Sequence, residues 1–366
     1  MPADTQAMFN LRESACICGQ NKEAEPARGA SKKRVQRLIA IFLCLPAVAQ
    51  GPRIAVIDFY GLHRVSEQKV RQTLGVREGD FLPPSKGDVE ERLDNIPNVI
   101  ESHLEAVCCD AGKMILYVGL EEKGAPHFDL REPPDGEAQL PQEINTVYHR
   151  FLEASQNALR AGQTAEDLTN GHALSANPET REIQQQFIPI AKKYVGDLRH
   201  ILRDSNDEEQ RAIAAYVIAY NPDKPTIVDD LQFALKDADP GVRTNATRGL
   251  KALAVLAHLH PDSGVKVEPT WFIEMLNSLS WSDRNQALDI LQILTDDHNP
   301  SALDQLRDRA LPALTEMAHW KTLQHALPAF LLLGRVAGIP DVQVQEAWSR
   351  GDRESIIAQA TAKKKK

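Results

Sequence analysis

From about Glu182 onward, apolar residues recur three and four positions apart in blocks that come in pairs. That periodicity constrains the chain more than any other feature. Ile190, Val195, Leu198 and Leu202 form one block. Asp207-Glu208-Glu209-Gln210-Arg211 opens its partner, with Ala212, Ala215 and Ile218 facing inward. Ile227, Leu231 and Leu235 form the next block, and Asp239-Pro240-Gly241-Val242-Arg243 opens another, with Ala246 and Leu250 inward. Leu276, Trp281, Arg284, Ala287 and Leu291 then repeat the offsets of Leu235, Pro240, Arg243, Ala246 and Leu250. A fourth, weaker pair runs from Leu303 to Leu333. Paired helices of this kind bury their apolar faces only against neighbouring pairs, so an extended array is expected.

The run Leu235 to Arg243 resembles the inter-helix turn of HEAT or HEAT-like repeats, which often reads Asp-x-x-Val-Arg. Pro240 suits the first turn of the helix it opens. Arg211, Arg243 and Arg284 fall at one repeat position, and each is expected to brace the turn between repeats. The resemblance implies an α-helical solenoid over 142–350 whose surface recognises proteins.

Upstream lies a segment of a different kind. Arg53 to Tyr60 is short, β-branched and strand-like, and Gly61 ends it. Ser66 is a good N-cap for a helix carrying Val70 and Leu74, and Gly75 stops it. Asp88 is expected to cap a second helix with Val89 and Leu93 inward. Strands follow over Val99–Val107 and Lys113–Glu121, joined by a turn at Cys109-Asp110-Ala111-Gly112, with Met114, Leu116, Val118 and Leu120 alternating on the second. The order β-α-α-β-β over 52–123, with Ile54, Ile57, Phe59, Gly61, Arg64-Val65-Ser66, Val70, Leu74 and Gly79, resembles a POTRA (polypeptide-transport-associated) domain. The resemblance implies a periplasmic module that adds a client strand to its sheet edge. The strand Val99–Val107 is the expected edge, because Glu101, His103 and Glu105 place polar groups at alternate positions. Neither an Asn after Gly61 nor a β-barrel after the domain is present. The fold class expected is therefore α+β and multidomain, with a small β-α-α-β-β domain before the helical solenoid.

Residues 124–141 hold Pro126, Pro133, Pro134, Asp135-Gly136 and Pro141 and read as a linker with little reason to fold alone. At the other end of the chain, 351–366 reads as a basic tail closing on Lys363–Lys366. Residues 1–49 read as an N-terminal extension and signal peptide. Ser31 to Arg37 is basic, Leu38 to Leu45 is apolar, and Ala47-Val48-Ala49 follows Pro46. Cleavage is expected between Ala49 and Gln50, leaving a periplasmic or secreted protein without a membrane span. Seven Lys/Arg stand against four Asp/Glu in residues 1–49, so cleavage makes the overall charge of −9 more negative. A chain so charged repels nucleic acid and anionic lipid.

Motifs for chemistry are weak. The sequence holds no G-x-S-x-G, H-E-x-x-H, P-loop or C-x-x-C. His258-x-His260-x-Asp262 is a thin metal candidate, Glu166-Asp167 with Gly171-His172 a thin acid–base candidate, and Asp296-Asp297-His298 ranks with them. Helix capping and polar loops account for all three. No catalytic, cofactor-binding or metal residue is therefore assigned. Cys108 and Cys109, the cysteines left after cleavage, are adjacent on a strand, point to opposite faces and are expected to be unbridged thiols. The function expected is a non-catalytic envelope adaptor or scaffold whose partners are other proteins. The alternative is an enzyme or enzyme accessory with its site in the groove of the helical array, which a pocket gathering two acids and a His would favour.

Overall fold

The computed structural model describes residues 52–110 and 112–362. The expected cleavage point at Ala49 and Gln50, the signal segment and Lys363–Lys366 lie outside the described residues. The N-terminal part runs β1 (Ile54–Tyr60), α1 (Glu67–Leu74), α2 (Lys86–Asp94), β2 (Val99–Asp110) and β3 (Lys113–Glu122). Ser66 caps α1 by accepting from Lys69 N, and Gly75 ends it at φ +74°. Ser85, rather than Asp88, caps α2: its side chain accepts from Asp88 N, which leaves Asp88 in the first helical turn, where its charge suits the positive helix end.

The sheet order is β1-β3-β2, with β1 parallel and β2 antiparallel to β3. Ile57, Leu104, Leu116, Val118 and Leu120 face α1 and α2 and pack on Val70, Leu74, Val89 and Leu93. The other face is also covered. Tyr60, Ile115 and Tyr117 belong to the core of the helical part. Burial is unbroken from Ile115 to Leu120, as in a strand covered on both sides.

The helical part runs α3 (Gln142–Arg160), the short hairpin β4 (Glu166–Asp167) and β5 (Leu174–Ser175), α4 (Pro178–Lys193), α5 (Val195–Asp204), α6 (Glu208–Ile218), α7 (Val228–Ala234), α8 (Pro240–Leu259), α9 (Thr270–Met275), α10 (Trp281–Leu294), α11 (Pro300–Arg309), α12 (Leu311–Ala318), α13 (Leu323–Ala337), α14 (Asp341–Ser349) and α15 (Arg353–Thr361). The block read as one helix from Ile190 to Leu202 is two helices, broken at Tyr194 (φ −110°, ψ 19°). The helices lie in two rows. In one, α6 packs on α8, α8 on α10, α10 on α13 and α13 on α15. In the other, α5 packs on α7 and α9 on α11. The segment read as a basic tail contributes α15, because Asp352 caps it and Ile356, Ile357 and Ala360 are apolar enough to be buried.

Residues 124–141 are not a free linker either. Phe128 and Leu140 are buried. Arg131 N donates to Lys236 O at 2.7 Å, Asn206 N donates to Gly136 O at 2.7 Å, and Leu140 N donates to Gln210 Oε1 at 2.9 Å. The segment is a strap laid backwards along the array. A Cβ on Gly136 would stand 2.2 Å from Asp204 O, so the close approach there requires glycine.

Among the described residues no helix is long and apolar enough to cross a membrane. Cys108 is disulfide-bonded, against the expectation of unbridged thiols at this pair. Strand alternation alone does not decide the partner of a cysteine in a strand that is irregular between Cys108 and Asp110.

Candidate functional site

The four turns that precede α6, α8, α10 and α13 lie along one edge of the array, and the sheet and the strap pack on that edge. The strap covers the first two turns, at Ser205–Asn206 and Lys236. The sheet covers the other two. Tyr60 Oη donates to Leu279 O at 2.8 Å. The Asp58 carboxylate accepts from Lys321 N at 3.1 Å, and Lys321 Nζ donates to Ile57 O at 2.9 Å. Burial raises the Asp58 pKa, with the Lys321 backbone bond opposing it. Tyr117 stacks on Trp281 at 4.8 Å, lies 4.9 Å from Trp320 and shares a 2.6 Å hydrogen bond with His325 Nδ1. Gly119 leaves room for the Tyr60 ring, which a Cβ there would meet at 2.4 Å.

The arginines singled out by their repeat position build this edge from inside. Arg211 forms a bidentate pair with Asp237 at 2.9 Å and donates to Ser205 O. Arg243 does the same with Asp283 and donates to Asp237 O. Each guanidinium thus holds the turn six residues before it and a carboxylate one helix pair further on. Arg284 keeps the turn bond, to Ser278 O, but its outward face differs. It lies under the Tyr60 ring at 4.5 Å and faces Glu316 at 3.9 Å, and its Nη1 has no hydrogen-bond partner among the described residues. Arg335, which the repeat pattern did not single out, pairs with Asp341 and Asp296 and donates to Gln292 O.

The expected edge strand β2 does lie at one side of the sheet, but its residues are largely engaged. Glu105 accepts from Ser282 N and from the hydroxyls of Ser280 and Ser282, at the N-terminal end of α10. His103 sits near Glu90 and Lys86, and burial followed by the Lys86 charge lowers its pKa. Glu101 stays exposed opposite Glu121, and desolvation with that like charge raises its pKa. The backbone N–H of Leu104 is taken by Glu90 Oε1 at 2.7 Å, so α2 caps the middle of the edge. Of the three polar residues read as edge features, Glu105 bonds to the array, His103 lies against α2 and Glu101 stays exposed.

The acid–base and metal candidates do not gather into one site, although His258 and Asp296, from two of them, meet. Glu166 pairs with Arg248, and Asp167 with Arg181 and Thr169. Burial and the nearby Lys224 charge lower the His172 pKa to about 4. His258 lies 3.9 Å from Asp296, and His298 lies 3.5 Å from Asp341. Among the described residues no three His, Cys, Asp or Glu side chains are grouped to hold a metal. One small cavity, at the sheet–array junction, does gather His63, Glu121, Glu316 and Arg284. Its volume of about 20 Å³ takes about one water molecule.

A larger groove, of about 310 Å³, lies where the strap passes α7 and α9. Arg131, Asp229, Gln232, Phe233, Lys236 and Trp271 line it. Sequence reasoning did not find it. Arg131 sits in a Pro-rich stretch without periodicity, and the other residues read as ordinary helix surface.

No protein-family model matches the chain, and no curated protein matches it at a significant level.

Proposed function

We propose that the protein is a non-catalytic adaptor or scaffold of the bacterial envelope that binds other proteins through the surface of its helical array. The POTRA-like order of the sheet segment and the HEAT-like turn at Asp239–Arg243 support this reading. The observation that carries it is the use made of buried charge. Arg211, Arg243, Asp237 and Asp283 are spent on bracing turns. The cavity at the sheet–array junction, which collects two acids and a His, has room for a water and not for a substrate.

Strand addition at β2 is a second mode, confined to the part beyond Leu104. By the alternation of an antiparallel ladder, Ala106 N–H points the same way as Leu104 N–H, away from β3. The test is capture of partners from envelope extract by the tagged full chain, with Ala106→Pro in parallel. Proline is tolerated at an edge but removes a donor, so a partner held by strand addition is lost while the fold persists. Failure to enrich any protein over a tag-only control would count against the scaffold reading. Loss of nothing in Ala106→Pro would confine binding to the array.

A further inference from the structure

The groove between the strap and helices α7 and α9 differs from the rest of this acidic molecule. Two half-buried rings, Phe233 and Trp271, form its apolar lining. The Arg131 guanidinium stacks on Phe233 at 3.3 Å, and Lys236 Nζ stands 5.1 Å from the Trp271 ring. Neither cation forms an ion pair with a carboxylate among the described residues. Arg131 is held instead by backbone, donating its N–H to Lys236 O and a guanidinium N–H to Phe233 O. Arg203 stacks on Phe233 from 4.5 Å and shares Asp230 with Arg199.

The local account is five cations, Arg131, Arg199, Arg203, Arg211 and Lys236, against three acids, Asp229, Asp230 and Asp237, in a chain of net charge −9. Arg131 cannot move away from this place, because its own backbone bond fixes the strap there. The groove therefore carries two stacked cations with unused hydrogen-bond donors over two aromatic rings. Gln232 Nε2, also in the lining, has no acceptor among the described residues.

We propose that this groove binds an extended acidic segment of a partner protein, its carboxylates on Arg131 and Lys236 and an aromatic or large apolar side chain against Phe233 and Trp271. The proposal rests on the scaffold reading and specifies its recognition site. Charge complementarity selects the occupant. A basic segment would meet two uncompensated cations, and a purely apolar one would leave their donors unpaired. The electron-rich faces of both rings are already engaged by cations, so an anionic segment is held by those cations and the uncovered ring surface is left for its apolar side chain. Volume agrees: about 310 Å³ admits one large side chain with flanking backbone, not a folded domain.

The experiment uses the full chain and a fluorescein-labelled octapeptide alternating glutamate with phenylalanine, blocked at both ends. A lysine–phenylalanine octapeptide of the same length is the control. Anisotropy titration is expected to show binding of the acidic peptide only, weakening as salt rises. Lys236→Glu is expected to weaken it about tenfold or more, while Lys266→Glu, at an exposed lysine outside the groove, leaves it unchanged. Lys236→Gln, which removes the charge without adding repulsion, should give an intermediate loss. No binding of the acidic peptide, equal binding of the basic one, or a Kd indifferent to Lys236→Glu overturns the proposal. Partner capture from envelope extract that persists in Lys236→Glu would sink this site while leaving the scaffold reading in place.

Discussion

At the scale of single residues, buried charge is the feature that decides most. Arg243 and Asp283 are almost wholly withdrawn from water, and each satisfies the other. Removing one partner strands the other, so Arg243→Ala is expected to cost about 3–5 kcal/mol in urea denaturation. An Arg243→Met, Asp283→Leu double variant should cost less than the sum of its singles, because it removes both charges together. Lys224 is the contrary case. It is buried, and its Nζ donates to Ala219 O at 2.8 Å without a carboxylate. Burial lowers its pKa from 10.5 to about 7. Between those values the unfolded chain binds more protons than the folded one, so this group makes stability rise with pH across that window. Below about 7 its full penalty is present. Lys224→Met is therefore expected to raise Tm at pH 6, with the gain shrinking toward pH 10. A gain that grew with pH would show that the sign is wrong. His172, in the β4–β5 connection and close enough to feel the Lys224 charge, adds to acid sensitivity. Its lowered pKa, about 4, costs stability as pH falls from 6.5 toward 4.

At the scale of elements, one device closes the sheet segment on itself and another ties the strap to the array. Gly61 takes φ +75° and lets its backbone approach Leu120 O, where a Cβ would stand at 2.0 Å. The chain then turns so that Glu122 accepts from the N–H groups of His63, Arg64 and Val65. Burial alone would raise this carboxyl, but those three donors outweigh it and hold its pKa below the usual range. The group contributes stability above the ordinary Glu pKa and loses it as pH falls through the lowered one. Glu122→Ala is expected to cost about 3 kcal/mol at pH 7, since it leaves backbone donors unpaired. The loss should narrow in acid; chemical denaturation at pH 7 and pH 3.5 checks it. In the strap, Gly136→Ala should lift residues 124–141 from the Asp204 carbonyl. The readout is limited proteolysis, with faster cleavage in 124–141 and the array intact. Unchanged cleavage would mean that the strap is held elsewhere.

At the scale of the whole molecule, sheet and array share a core. Tyr60, Ile115 and Tyr117 are buried among array side chains, with Trp281 and Trp320 on the far side of the contact. Separate folding of 52–123, the natural expectation for a domain followed by a Pro-rich stretch, would expose these rings. The full chain is expected to unfold in one transition, with tryptophan fluorescence and far-UV circular dichroism coincident. Tyr117→Ala should lower stability by about 3–5 kcal/mol without separating the two signals. An early fluorescence transition that leaves helicity intact would show that the sheet comes away alone.

Local order was legible because it rests on short-range physics. The 3.6-residue spacing of Leu231, Ala246, Leu250, Ala287 and Leu291, the caps at Ser66 and Asp207, and the alternation of Leu116, Val118 and Leu120 each depend on neighbours a few positions away. The repeat position of Arg211, Arg243 and Arg284 was visible for the same reason, although their carboxylate partners lie in the next helix pair and carry no local signal. What covers the second sheet face was decided by tertiary packing. Ile115 and Tyr117 look like ordinary strand residues until Trp281 and Trp320, far along the chain, meet them. The path of 124–141 was decided in the same way. Composition marks Pro126, Pro133, Pro134 and Pro141 as unable to form a helix or an inner strand, but says nothing of backbone bonds to Lys236 and Asn206. The groove is the furthest case. Arg131 and Trp271 come together only when the strap has been laid against the array, because a binding surface of this kind is a property of packing between segments and not of either segment's own sequence pattern.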